Sequence, residues 1–261
     1  MLRSLSTAAT GMIAQQVNID VISNNLANVN TTGFKKSRAE FQDLLSQTLR
    51  APGAQVAQGT YQPSGIQIGL GVKNSAIQRI NTAGIMKSTD NPTSLAIAGK
   101  GFFQIQLDDG TIAYSRDGSF KIDANGQMVT SDGYQLIPQV TVPEDTTEIT
   151  ITSGGKVTVK QPGTAELIEV GTIELVRFSN PSGLLAQGKN LFLETSASGT
   201  PVQGIANQEG FGSIEQGLLE GSNVQVVEEL ISLISAQRAF EANSNVIRAS
   251  DEALKTVNRI I

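Results

Sequence analysis

An apolar residue returns every seven positions along the last stretch of this chain: Val226, Leu233, Phe240, Ile247, Leu254 and Ile261. Near the start, Leu5, Met12, Ile19 and Leu26 keep the same step, with Ala8, Ile22 and Val29 offset by three. A sustained seven-residue repeat writes an apolar seam along a helix, and that seam stays half satisfied until another helix covers it. Two such helices at opposite ends of one chain can cover each other. The stretch between them is written in short runs separated by turn dipeptides. The sequence therefore predicts an α+β protein, with N- and C-terminal helices paired as a coiled coil and a central, mainly antiparallel β domain. The expected division is a helical part at 1–34 plus 221–261, a connector at 35–70 that is part helix and part extended or hairpin, and a β-rich domain with its return loop at 71–220. Such a chain points to assembly rather than chemistry.

Composition narrows the chemistry further. The 261 residues include no cysteine, histidine or tryptophan. Without histidine there is no Ser-His-Asp triad and no imidazole base. Without cysteine or histidine there is no ordinary zinc or iron–sulfur site, and no disulfide. No catalytic, cofactor-binding or metal residues are therefore assigned. The net charge of −5 and the absence of a basic stripe argue against nucleic acid as a partner. Charged residues make up only 16% of the chain, below the roughly 25% of an ordinary soluble domain. Two readings stay open: a surface rich in uncharged polar residues, or a surface that meets other subunits. Thr7, Thr10, Gln15, Gln16 and Asn18 interrupt any apolar core of a cleavable export signal, and no segment approaches the roughly 20 apolar residues that span a bilayer.

Residues 4–32 read as one helix, with Ser4 as N-cap and Gly33 as the left-handed stop. Asn24, Asn25, Asn28 and Asn30 sit inside it, although asparagine is a poor helix former. Either the helix end frays, or the amides bond neighbouring helices and fix register. Phe41, Leu44, Leu45 and Leu49 have helical spacing, and the polar stretch to Ser64 either pairs as strands or adapts to neighbours. Further on, Asp109-Gly110, Asp117-Gly118, Asn125-Gly126 and Asp132-Gly133 arrive at nearly even steps and predict hairpins around a core of Phe102, Phe103, Ile105, Leu107, Phe120 and Ile122. Strands follow at 148–152, 156–160, 171–178 and 190–194, then a loop over 196–212. Ser222 with Gln225 three residues on predicts a capping box for the final helix. That helix adds Val224, Val227, Leu230, Ile231 and Ile234 to its seam, so its first half asks for more than one partner.

Catalytic and binding motifs do not assemble. Gly99-Lys100-Gly101 lacks the third glycine of a dinucleotide loop and the Lys-Ser/Thr ending of a P-loop. Asp123, Asn125 and Asp132 fail the calcium-loop pattern after Asn125 and fit hairpin turns. The carboxylate pairs Asp108-Asp109, Glu228-Glu229 and Asp251-Glu252 could in principle serve a glycoside hydrolase, yet no tryptophan platform accompanies them.

Two terminal runs carry a resemblance. The sequence from Ile22-Ser23-Asn24-Asn25-Leu26-Ala27-Asn28 through Thr32-Gly33-Phe34-Lys35 resembles the signature of bacterial flagellar rod and hook proteins. Its other half resembles Ser222-Asn223-Val224 to Glu229-Leu230-Ile231, followed by Gln237-Arg238-Ala239-Phe240-Glu241-Ala242-Asn243. Gly99 to Phe103 and Tyr114 to Phe120 are similar to the β domain of that family. Gln47 to Ala54 and Pro63 to Gly69 are similar to the distal-rod branch rather than the hook. Phe240 stands where tyrosine is common in the family. The resemblance implies a structural subunit of the axial shaft, exported without a cleaved signal by the flagellar export apparatus and assembled as a helical homo-oligomer. It implies a place in the basal body, crossing the periplasm to the outer membrane. The implied partners are proximal rod proteins, the hook protein, the peptidoglycan-ring and outer-membrane-ring proteins, and a rod cap protein. The implied work is torque transmission, with the connector governing stiffness. The expected subunit-packing residues are Leu5, Met12, Ile19, Ile22, Asn24, Asn25, Leu26, Asn28, Val226, Leu233, Phe240, Asn243, Ile247 and Leu254. A hook or proximal rod protein remains the alternative within the family, and a surface adhesin with a helical stalk the alternative outside it.

Overall fold

The structure is a computed structural model that describes residues 2–50, 55–57, 60–61, 64–163 and 166–260. Ile261 of the heptad and residues 51–54 and 63 of the connector lie outside the described residues. Two terminal helices and a mainly antiparallel β-rich body make the chain α+β. It divides into two compact units, one of 1–26, 37–78 and 225–261, the other of 27–36 and 79–224.

The first unit holds helix α1, Leu2–Ala27, and helix α2, Val226–Ile260. α1 ends earlier than the expected residue 32. At Asn28 the backbone carbonyl accepts from the Thr31 N–H and the side chain accepts from the Thr31 hydroxyl, so a turn replaces the helical ladder. Asparagine side chains compete with helix in this way. The connector also departs from expectation. Phe41, Leu44, Leu45 and Leu49 do not form a helix: Ser37–Asp43 and Gln47–Arg50 are strands, paired with Val72–Arg79 and Ile66–Ile68. Four apolar residues at mixed spacing fit a helix or a strand, and a returning segment that supplies backbone partners decides between them. Leu44 N–H donates to the Gly71 carbonyl, and Gln47 lies opposite Ile68, as in a long antiparallel hairpin.

The second unit is built on a seven-stranded antiparallel sheet. Its strands run in the order 121–122, 128–129, 135–137, 103–106, 112–115, 191–193, 185–188. Smaller pairings flank it: a three-stranded sheet of 148–151, 156–160 and 168–172, and pairs of 174–177 with 202–205, 95–98 with 213–216, and 86–88 with 218–220. The expected return loop therefore contains a strand, Val202–Ile205. The main core gathers Leu95, Ile97, Phe103, Phe120, Leu136, Ile173, Leu175 and Ile214, with Phe103 edge-on to Phe120 at 5.1 Å. A second cluster places Phe102, Tyr114, Phe178 and Phe192 together. Ile122, expected in the core, is exposed because its short strand lies at the sheet edge.

Gly110, Gly126 and Gly133 take positive φ in hairpin turns, as their dipeptides predict. Gly118 does not; it is needed for a different reason. The Leu95 N–H donates to the Gly118 carbonyl, and a Cβ on Gly118 would lie 1.7 Å from the Leu95 carbonyl oxygen. Gly118→Ala must push two buried backbones apart and is expected to cost about 1–3 kcal/mol, measured as a lower urea midpoint with unchanged slope.

Candidate functional site

In the first unit the two helices run antiparallel, and three contacts fix their register. Asn25 Nδ2 donates to Glu229 Oε2 at 3.2 Å. Gly11 faces Asn243, so closely that a Cβ there would meet Nδ2 at 2.9 Å. Ser4 and Ser250 share a hydroxyl hydrogen bond of 3.3 Å. Moving back along α1 from Asn25 to Gly11 to Ser4 matches moving forward along α2 from Glu229 to Asn243 to Ser250, in steps of fourteen and seven. The recorded contacts between the helices thus fall on a heptad of small and polar residues. Small side chains let backbones approach, and satisfied polar pairs fix one register.

The expected packing residues differ in burial. Ile22 and Asn25 are buried, and Leu5, Met12, Ile19 and Leu26 are half-buried. On α2, Leu233, Asn243, Ile247 and Leu254 are half-buried, while Phe240 and Val226 are exposed. Asn24 is exposed, and Asn28 stands half-buried in the second unit. Asn25 also clasps the connector: it donates to the Ser37 carbonyl at 2.8 Å and accepts from the Ser37 N–H at 2.9 Å. The other face of α2 is left open. Val227, Ile231 and Ile234 are 70%, 61% and 50% exposed, on the side of the helix opposite Glu229 and Ala236.

In the second unit, the points where the chain enters and leaves are knit together. Gly33 N–H donates to the Glu220 carbonyl at 2.8 Å, and Lys36 N–H to Asn223 Oδ1 at 2.7 Å. Asn223 Nδ2 donates to the Ile80 carbonyl at 2.9 Å and to the Thr82 hydroxyl at 3.0 Å. Ser222 and Gln225 do not make the expected capping box: the Ser222 hydroxyl oxygen accepts from the Val224 N–H, ahead of the helix. α2 begins at Val226, and its first intrahelical bond runs from Glu229 N–H to the Gln225 carbonyl. The side-chain groups of Asn223 are taken by the clamp.

At the centre of the clamp lies a buried ion cluster that the sequence reading missed. Glu220 accepts from Lys35 Nζ at 2.5 Å and from the Gly84 N–H at 2.9 Å on Oε1, and its Oε2 lies 2.8 Å from Arg116 Nε. Lys35 also donates to the Thr82 carbonyl, and Arg116 to the carbonyls of Gly101 and Gly99. All three side chains are buried. Burial works against the Glu220 carboxylate, but Arg116, Lys35 and the Gly84 N–H outweigh it and hold its pKa below the ordinary value. Burial lowers the Lys35 pKa, with Glu220 opposing that shift. Lys35 and Glu220 are 185 positions apart and the three residues lie in no common run; the family-like runs through Lys35 and Tyr114 to Phe120 held two of them but gave no sign that they meet.

The weighed motifs resolve locally. The glycine loop turns its carbonyls onto Arg116, so Gly99 and Gly101 present acceptors rather than a phosphate cradle. The Asp123 carboxylate accepts from Gln127 and Asn125 N–H groups, which lower its pKa and close a hairpin turn. Among the described residues, no helix is long and apolar enough to cross a membrane.

Three family profiles match: flagella basal body rod protein over residues 5–35, flagellar hook protein FlgE/F/G D1 domain over 96–159, and flagellar basal body rod FlgEFG protein C-terminal over 215–260. Lys35, Arg116 and Glu220 contribute one residue to each matched segment. The chain is 52% identical to the flagellar basal-body rod protein FlgG of Borreliella burgdorferi, covering all of this chain and 99% of that protein. It is 47% identical to FlgG of Agrobacterium fabrum, with 99% of each chain covered. Against FlgG of Bacillus subtilis the identity is 42%, over 98% of this chain and 97% of that one. The chain belongs to the FlgG family of flagellar basal-body rod proteins, and it is a structural subunit of the rod.

Proposed function

We propose that this subunit assembles with copies of itself into a helical shaft, with α1 and α2 packing as a coiled coil. The observation that carries this reading is the open apolar stripe of Val227, Ile231 and Ile234, set opposite the face of α2 that meets α1. A contiguous exposed apolar stripe on a helix marks a protein interface. The heptad flanking the helix contact, half-buried at Leu5, Met12, Ile19, Leu26, Leu233, Ile247 and Leu254 and exposed at Phe240, gains cover in the same way. Asn24 adds a polar group to that surface. Phe41, Leu45 and Leu49 of the connector are also exposed and would find their cover on an adjacent copy, which resists sliding and stiffens the shaft. In this reading the shaft transmits torque. It meets proximal rod proteins, the rod cap and the hook protein at its ends, and the peptidoglycan-ring and outer-membrane-ring proteins along its side. Subunits reach it through the flagellar export apparatus without a cleaved signal.

The test is polymerisation of the purified chain, followed by sedimentation and electron microscopy. Ile231→Asp places a charge in the stripe and is expected to raise the critical concentration more than about tenfold while leaving the circular dichroism of the subunit unchanged. A variant that polymerises like the parent would remove the stripe from the interface.

A further inference from the structure

A cleft of about 430 Å³ opens in the β-rich unit, and four of the chain's 19 basic residues line it: Lys35, Lys100, Arg116 and Arg177. Among its described lining residues there is no carboxylate, although acidic residues outnumber basic ones in the chain. Glu220, itself buried, pairs with both Lys35 and Arg116, which leaves Lys100 and Arg177 as the cations open to a ligand. Lys100 is exposed at the cleft, and Arg177 stacks over Phe211 at 5.3 Å, which fixes its position. Phe102, Phe178, Pro181 and Val202 supply an apolar wall, and Val202 is open to solvent. Positive charge beside apolar surface fits a carboxylate carried next to aliphatic side chains.

The same unit displays such a group. Glu166 is exposed, and it adjoins Leu167 and Ile168, which are 61% and 42% exposed at the start of the edge strand Ile168–Thr172. Other acids of this unit beside exposed apolar residues are already engaged: Asp123 closes its own turn next to Ile122, and Glu169 pairs with Lys156. We infer that the cleft is a carboxylate-binding site between copies, and that it takes the Glu166-Leu167-Ile168 corner of a second copy, with Lys100 and Arg177 meeting the Glu166 carboxylate and the aromatic wall meeting Leu167. This inference rests on the assembly reading above and names one contact between copies within it. Charge pairing at the cleft sets which copy docks and in what register; the apolar wall supplies the burial.

The absence of cysteine makes the test direct. Lys100→Cys and Glu166→Cys single variants of the full chain are mixed, polymerised and treated with a short bismaleimide. A cross-linked heterodimer of the two variants is expected, and none when Thr200→Cys replaces Lys100→Cys. Charge exchange gives a second measure: Lys100→Glu is expected to raise the critical concentration about tenfold, and Glu166→Lys in the same chain to restore it. Polymer without the heterodimer, or without restoration, overturns the cleft contact and leaves the assembly reading standing. Failure of the parent chain to polymerise overturns the assembly reading and the contact with it.

Discussion

Glu220→Ala is expected to destabilise the β-rich unit by about 3–5 kcal/mol, because it strands two buried cations at once. Lys35 loses its 2.5 Å carboxylate partner, Arg116 loses the group beside its Nε, and the Gly84 N–H loses its acceptor. The whole triad replaced by apolar residues of similar volume can be far less costly, since the penalty comes from the unpaired charges and not from the absence of the pair. Guanidinium denaturation of the full chain, followed by near-ultraviolet circular dichroism, reads the effect. An Ala variant within 1 kcal/mol of the parent would show that the cluster is not a cornerstone of the unit. The pH dependence has a definite sign. The folded pKa of Glu220 lies below its ordinary 4.5, so its contribution is fully present above pH 4.5 and is lost as pH falls through the lowered folded value. Glu220→Gln keeps an acceptor for Gly84 and removes the titration, so its acid unfolding profile should be flatter than that of the parent over that window.

Phe240→Asp carries the second large effect, on assembly rather than on folding. Phe240 is 36% exposed on the flank of the helix contact, one heptad from Leu233 and Ile247. Within a single chain a charge there can still reach water. Once a neighbouring helix covers that flank, an unpaired aspartate costs several kcal/mol. The expected result is a soluble subunit with the parent's β-type circular dichroism and thermal transition, and no sedimentable polymer at concentrations about a hundredfold above the parent's critical concentration. Normal polymers from this variant would place the heptad outside the assembly surface.

The helical ends were legible because their signal is periodic. A seven-residue apolar step over several turns leaves little choice of secondary structure, and it located both helices and the half-covered flanks. The hairpins at Gly110, Gly126 and Gly133 were legible for a local reason too, since a positive φ at the second turn position asks for glycine. Periodicity misled where it was short. Phe41 to Leu49 fits a helix on spacing alone, and only the returning segment 66–79 makes it a strand. Ser222 misled because a capping residue and a residue bonded elsewhere look alike until the partner is seen, and Asn28 because its bond to the Thr31 hydroxyl ends a helix that spacing alone would continue.

By itself, then, the sequence determined the class: helical ends able to cover one another, a β-rich middle, and no residues for imidazole, thiol or ordinary zinc chemistry. Those are properties of residue type and spacing, which need no knowledge of what lies nearby. The tertiary structure alone decided which heptad makes the close contact. Gly11, Asn25, Asn243 and Glu229 meet there because small and hydrogen-bonded side chains let two backbones approach, while the more conspicuous apolar heptad flanks them. It alone brought together Lys35, Arg116 and Glu220, three charges from distant segments. The stability of a buried ion depends on the distance to its partner, and chain position does not encode that distance until the fold has closed.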